Sequence, residues 1–176
     1  MICGIDPGVT GGVFAIDDNG EERFRSVMPA NSGMIDIPAL ANFFRNDIPN
    51  CHVFLEQAQS FPKQGVASSF NYGRGFGSIE GVLGTLGIPY TLVRPNIWTR
   101  ELHQGLAKEI TAKDKSFLIV KRLFPKLDLR ASQKCRKFHE GLIDALLIAE
   151  YGRRVLNQGI KVVSEKKFPG PDSSLS

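Results

Sequence analysis

The chain has 176 residues, enough for one domain with a substantial core and too few for two full ones. Its composition, 42% hydrophobic and 23% charged, excludes a disordered, collagenous or disulfide-stapled protein. Lys and Arg outnumber Asp and Glu by 22 to 18, a formal charge of +4 that by itself names no partner.

No apolar run approaches the roughly 18 residues that span a bilayer. The longest, over residues 141–149, is interrupted by Asp144, so no membrane partner is expected. Met1 leads directly into Ile2-Cys3-Gly4-Ile5-Asp6 without a basic or apolar leader, which predicts a cytoplasmic protein. Cys3, Cys51 and Cys135 are odd in number and contain no CxxC pair, so neither a disulfide framework nor a zinc knuckle is supported.

The first third reads as strands. Residues 2–6 form a short apolar run ending in Pro7-Gly8. Residues 11–17 are β-rich and end at Asp18-Asn19-Gly20, and residues 21–28 alternate. Residues 35–45 have broadly helical spacing, with Pro38 limiting where the helix begins, and 51–56 form a buried-type strand. Residues 65–71 are small and polar and read as a loop. Phe76, Ile79, Val82, Leu83 and Leu86 then give a helix over 71–86. Gly77 and Gly81 on that helix leave a smooth stripe for close packing, either on the protein's own sheet or on a second copy. Residues 89–93 read as a strand. Thr111-Ala112-Lys113-Asp114 is a capping box opening a helix to about Phe124, and 139–156 is the last strong helix. The expected architecture is a mixed α/β domain over 1–158 with helices on both faces of a sheet, followed by a flexible polar tail over 159–176.

Four carboxylates can converge in such a fold. Asp6 ends the first strand before a Gly-rich turn, and Glu56 ends the strand at 51–56 in an apolar context. Glu140 and Asp144, four apart at the start of the last helix, project from one face. Like charges so gathered need cations, and hard oxygen donors select Mg²⁺, with Mn²⁺ as a substitute. Each acid also has an ordinary explanation: Asp6 as a cap for the turn at Gly8, Glu56 as a partner of Lys63 or Arg74, Glu140 and Asp144 as favourable charges at a helix N-terminus. As a set, beside two basic stretches (Lys108, Lys113, Lys115, Lys121, Arg122; then Arg130, Lys134, Arg136, Lys137), a two-metal phosphodiester site accounts for them better.

No rival catalytic set is as coherent. His52, His103 and His139 lack metal-ligand spacing, and GxSxG, Walker A and GxGxxG motifs are absent, so no organic cofactor is expected. His139, next to Glu140, is placed to touch a phosphate or a water, although a surface role at a helix start is the commoner case.

Four ordered segments carry a family resemblance: Gly4-Ile5-Asp6-Pro7-Gly8; Leu55-Glu56-Gln57; Lys63-Gln64-Gly65-Val66-Ala67-Ser68-Ser69-Phe70-Asn71-Tyr72-Gly73; and His139-Glu140-Gly141-Leu142-Ile143-Asp144-Ala145-Leu146. Over roughly residues 1–155 the sequence resembles the RuvC-type Holliday junction resolvases, especially their phage and plastid branch. The resemblance implies a ribonuclease H-like fold with a mixed five-stranded sheet, a homodimer, and Mg²⁺-dependent paired nicking of four-way branched DNA. It implies Asp6, Glu56, Glu140 and Asp144 as metal ligands, and Lys113 or Lys115 as the basic group near the cleaved phosphate. Bacterial members separate the last two acids by three positions where this chain has four, so His139 is the neighbour that would share the role of Glu140.

Around that site Phe61, Phe70, Tyr72 and Phe76 follow Glu56, and Phe70 or Tyr72 is the better candidate to stack on an unpaired base, Phe76 being on the core stripe. Arg74, Lys113, Lys134, Arg136 and Lys137 are the expected phosphate contacts. Two alternatives remain at the level of sequence: another ribonuclease H-like nuclease acting on RNA:DNA hybrids or flaps, and a junction-binding module without catalysis.

Overall fold

The computed structural model describes residues 1–57, 65–158 and 167–168. As the turn residues predict, β1 (Ile2–Asp6) pairs antiparallel with β2 (Gly12–Ile16), and β2 with β3 (Glu22–Val27). A small hairpin follows, β4 (Ala30–Asn31) and β5 (Met34–Ile35). Its Ser32-Gly33 turn has φ of 50° and 75°, the left-handed pair that tight hairpins favour. Helix α1 (Ile37–Asn42) starts where the Asp36 carboxylate accepts the Ala39 N–H at 3.0 Å, and continues as a π-helical turn over Phe43–Asp47. Then come β6 (His52–Glu56), α2 (Val66–Thr85), β7 (Tyr90–Val93), α3 (Pro95–Leu102), α4 (Ala112–Leu123), α5 (Glu140–Gln158) and β8 (Lys167–Phe168).

The sheet order is β3-β2-β1-β6-β7-β8, with β1, β6 and β7 parallel and the outer strands antiparallel. The expected mixed five-stranded sheet is therefore present, extended by the two-residue β8. That strand comes from the segment read as a tail and covers part of the edge that β7 would otherwise leave unpaired. The other residues of 159–176 lie outside the described residues.

Alternation along the strands builds two cores. Ile2, Phe14, Ile16 and Phe54 face α3, α4 and α5, packing on Trp98, Leu102, Ile119, Val120 and Leu146. Cys3, Ile5, Val13, Ala15, Val53 and Leu55 face the other way, onto Leu40 and Phe44 and onto Ile79, Val82 and Leu83 of α2. Helices thus cover both faces, as expected.

Two readings of the sequence are corrected. Residues 65–71 are not a loop: α2 begins at Val66. Its first turns are solvent-exposed, Val66 at 88% and Phe70 at 67%, so no buried face stamped an apolar period on them. Helix α3 was not anticipated either. Pro95 stands at its first position, where the missing N–H costs nothing, so this proline starts a helix instead of ending a strand.

The closest helix–sheet contact is made by glycines. A Cβ on Gly4 would overlap the Ala145 carbonyl oxygen and the Ala149 nitrogen, and one on Gly141 would overlap the backbone of Thr10 and Gly11. Backbone lies on backbone there, so α5 is pinned over β1 and over the turn that follows it.

Candidate active site

Side-chain period and strand register bring two acids together. Asp6 follows Gly4 by two residues and Glu56 follows Phe54 by two, so both point to the α5 side of the sheet. Ile5 is in register with Leu55, which puts the next pair, Asp6 and Glu56, on adjacent strands about 4.8 Å apart. Asp144 arrives from α5, one turn beyond the Gly141 contact that fixes where this helix begins over the β1–β2 turn.

These three acids sense one another. Burial raises the Asp6 pKa to about 6, opposed by the Gly8 N–H, which lies 3.4 Å from Oδ1. Glu56 is raised to about 7 by burial, opposed by a hydrogen bond from Trp98 and raised further by the charges of Asp6 and Asp144. Asp144 is raised to about 7 by burial and by Asp6, with the Ser116 hydroxyl opposing, Glu140 adding and Lys113 opposing. Tyr72 is pushed up to about 12 by burial and then by Glu56 and Asp6. Among the described residues none of the three acids has a Lys or Arg ion-pair partner, and no group of three or more His, Cys, Asp and Glu side chains is gathered into a metal cage. The donor set, hard carboxylate oxygens carrying uncompensated charge, nevertheless fits a divalent cation such as Mg²⁺.

Glu140 lies apart from this trio in character. It is 67% exposed at the first position of α5 and pairs with Lys113 at 2.7 Å. Lys115 is on the next turn of α4, where its charge bears on His103. His139 precedes α5, and its Nδ1 is buried without a hydrogen-bond partner among the described residues. Arg136 and Lys137 line a groove of about 520 Å³ with Lys113, Phe117, Lys121, Phe138 and Glu140, next to the acids, and Lys134 is exposed in the loop leading there. Arg130 is committed to a forked pair with Asp128, at 2.6 Å, so the second basic stretch offers one fewer free cation than its sequence suggests.

On the opposite flank Phe70 is exposed on the first turn of α2, while Tyr72 faces the acids. Arg74 contacts the Met34 sulfur and lines a groove with the β4–β5 hairpin, so it is not the partner of Glu56. Phe76 packs against the core. Phe61 and Lys63 lie outside the described residues.

Three neighbours of the acids were missed in the sequence. Trp98 donates its indole N–H to Glu56 Oε2 at 2.7 Å, the Ser116 hydroxyl opposes the rise of the Asp144 pKa, and His103 Nε2 lies 3.2 Å from the Ser116 oxygen. The available signal was Trp98 and Leu102, four apart behind a helix-starting proline.

No protein-family model matches the chain, and no curated protein is similar to it in sequence. Solved structures are similar in fold. A Thermus thermophilus RuvC in complex with a Holliday junction substrate superposes with a TM-score of 0.64 at 20% identity, over 95% of this chain and 98% of that one. A second T. thermophilus RuvC structure gives 0.61 at 19% identity, over 95% and 99%. The chain therefore has the ribonuclease H-like fold of RuvC over nearly its whole length.

Proposed function

We propose that this protein is a junction-resolving endonuclease that uses divalent metal to make paired nicks in four-way DNA. The observation that carries the reading is the trio Asp6, Glu56 and Asp144: three partly buried carboxylates without a Lys or Arg ion-pair partner among the described residues, two at strand ends and one on α5, in a fold shared with RuvC. The RuvC structure bound to a Holliday junction supports branched DNA as the substrate class.

In this reading Asp6, Glu56 and Asp144 hold Mg²⁺, with Glu140 as an outer ligand. A metal held there would supply acidification of a water and stabilisation of charge on the leaving 3′ oxygen. The chain's own residues position. The carboxylates would hold the cation that draws in the reacting phosphate, and the burial of Asp6 and Glu56 limits screening by bulk water. Tyr72, whose phenol stays protonated, is a neutral donor at the rim. Lys113, released from Glu140, and Lys115 offer charge to the scissile phosphate. Lys134, Arg136 and Lys137 hold the duplex arm, and Phe70 or Tyr72 stacks on an unpaired base. His139 is the remaining candidate for a contact to the attacked phosphate.

A junction must be cut on two opposed strands, so a two-fold dimer is the simplest arrangement. The outer side of α2 supports it: a Cβ on Gly73, Gly77, Gly81 or Gly84 would meet nothing within 4 Å, leaving a smooth face for a second copy. Ile79 and Leu83 do not belong to that face, being buried against the sheet.

The deciding experiment offers synthetic four-way junctions, RNA:DNA hybrids and flaps to the purified protein in Mg²⁺. Preferential paired nicking of junctions is expected, with sedimentation giving a dimer that Gly77→Glu converts to monomer. Preferential cleavage of hybrids would replace this reading with that of a different ribonuclease H-like nuclease. Junction binding without cleavage would leave a binding module.

A further inference from the structure

The acids come from β1, β6 and α5, yet Trp98, which hydrogen-bonds Glu56, and Ser116, whose hydroxyl bears on Asp144, come from α3 and α4. We propose that α3 and α4 act as a clamp on the acidic site, with Trp98 orienting Glu56 and the His103–Ser116 pair orienting Asp144. The proposal rests on the metal-binding reading above and adds to it the residues that hold its ligands in place.

Trp98 is 3% exposed, so its indole N–H has no water to turn to, and it donates to Glu56 Oε2 at 2.7 Å. That bond occupies one oxygen of Glu56 and leaves Oε1 for the site. Ser116 is 5% exposed and touches both Asp144 and His103. A serine hydroxyl has one proton, and an ionised carboxylate only accepts. With its proton turned toward Asp144, Ser116 would accept from the His103 Nε2–H, 3.2 Å away. That arrangement would run from His103 through Ser116 toward Asp144. The Trp98 and His103 rings meet edge to face, centroids 6.0 Å apart at 80°, so the two arms brace each other. Outer partners of this kind orient ligating groups before the metal arrives, and losing one typically costs 10–100-fold in metal affinity.

Trp98 is the only tryptophan in the chain, so its emission reports on Glu56 without a label. Titration of the metal-free protein with Mg²⁺ or Mn²⁺ is expected to change that emission saturably, and Glu56→Gln to abolish the change. By calorimetry Trp98→Phe and Ser116→Ala should each weaken metal binding about 10–100-fold. Ser116→Thr, which keeps the hydroxyl, should recover most of the loss. In nicking assays the same variants should need more Mg²⁺ for half-maximal rate while binding junctions as wild type does, a separation that a general loss of fold would not give.

Folded variants with wild-type metal affinity would overturn the clamp. Should a variant fail to fold, the wild-type emission decides: no change while calorimetry shows metal bound would equally overturn it. A wild-type protein that binds neither metal would instead overturn the metal-dependent reading on which the clamp rests.

Discussion

Asp144 and Glu150 are six residues apart on α5, both acidic and both turned toward the protein, and the chain treats them in opposite ways. Glu150, 2% exposed, is gripped by Arg153 at 2.7 Å and Arg154 at 2.8 Å, a charge neutralised within its own helix. Asp144 is set beside Asp6 and Glu56; burial holds all three pKa values up, and like charge adds to the rise in Glu56 and Asp144. A buried acid is ordinarily paired because an unpaired one is expensive. Where the same helix leaves the pairing undone, the cost agrees with the proposed site for a ligand that brings positive charge.

Neutralising the unpaired acids on one side and Glu150 on the other should separate function from stability most sharply. Asp6→Asn, Glu56→Gln and Asp144→Asn are each expected to lower nicking by about a thousandfold or more, roughly 4 kcal/mol or more in the barrier, with junction binding intact. Their melting temperatures should hold or rise, because a repulsion is removed. Glu150→Gln should do the reverse: nicking per folded molecule unchanged, and stability down by about 2–3 kcal/mol as two arginines lose their partner. Equal destabilisation by Asp144→Asn and Glu150→Gln in denaturant titrations would erase the contrast.

The position of Asp144 depends on how closely α5 lies on β1. Gly4→Ala is expected to cost about 1–3 kcal/mol, since the new methyl meets backbone atoms that cannot rotate away. It should also reduce nicking beyond the loss of folded protein, by lifting Asp144 from its neighbours.

Acidity offers a smaller test. Asp6, Glu56 and Asp144 bind their protons more tightly folded than unfolded, with pKa values raised from 3.8, 4.5 and 3.8 to about 6, 7 and 7. The folded state thus gains stability as pH falls from about 7 toward 4 and loses it as pH rises through the same window. Metal-free protein should be more stable at pH 5 than at pH 8 by a few kcal/mol, and Asp144→Asn should flatten the slope. Asp128, lowered to about 2 by Arg130, titrates below this window and does not disturb it. A metal-free stability that climbs from pH 5 to pH 8 would contradict the crowding of the three acids.

Much of the fold was legible because burial writes its period into sequence. The runs at β1, β6 and β7 and the stripe Leu142, Ala145, Leu146, Ala149 on α5 all face a core, and the turn residues fixed the first three strands. The exposed first turns of α2 carried no such mark, and α3 was hidden by a proline that reads equally as a stop or a start. In the site, Asp6, Glu56 and Asp144 announced themselves as acids at element ends. Trp98, Ser116 and His103 did not, because a tryptophan or a serine that orients a carboxylate looks in sequence like any core or helix-start residue. Only the packing of α3 and α4 beside α5 brings them to the acids.

Glu140 and Lys113 supply the intermediate case, an acid at the start of the same helix that has a cation but is not buried. Their contact of 2.7 Å joins side chains 67% and 76% exposed, and such pairs add little to folding because water screens them and long side chains must be ordered. Lys113→Ala should therefore leave the melting temperature unmoved. Its effect belongs to the site: Lys113 opposes the upward push on Asp144, and Glu140 adds to it. Glu140→Gln is accordingly expected to lower nicking only about tenfold, well short of the loss in Asp144→Asn, and to raise the Mg²⁺ concentration needed for half-maximal rate. His139→Ala, measured beside it, tells the neighbours apart: a deeper loss than in Glu140→Gln would give the fourth position of the site to the histidine. A Glu140→Gln defect as deep as that of Asp144→Asn would mean that the ion pair with Lys113 opens when DNA and metal bind, bringing Glu140 into the site as a full ligand.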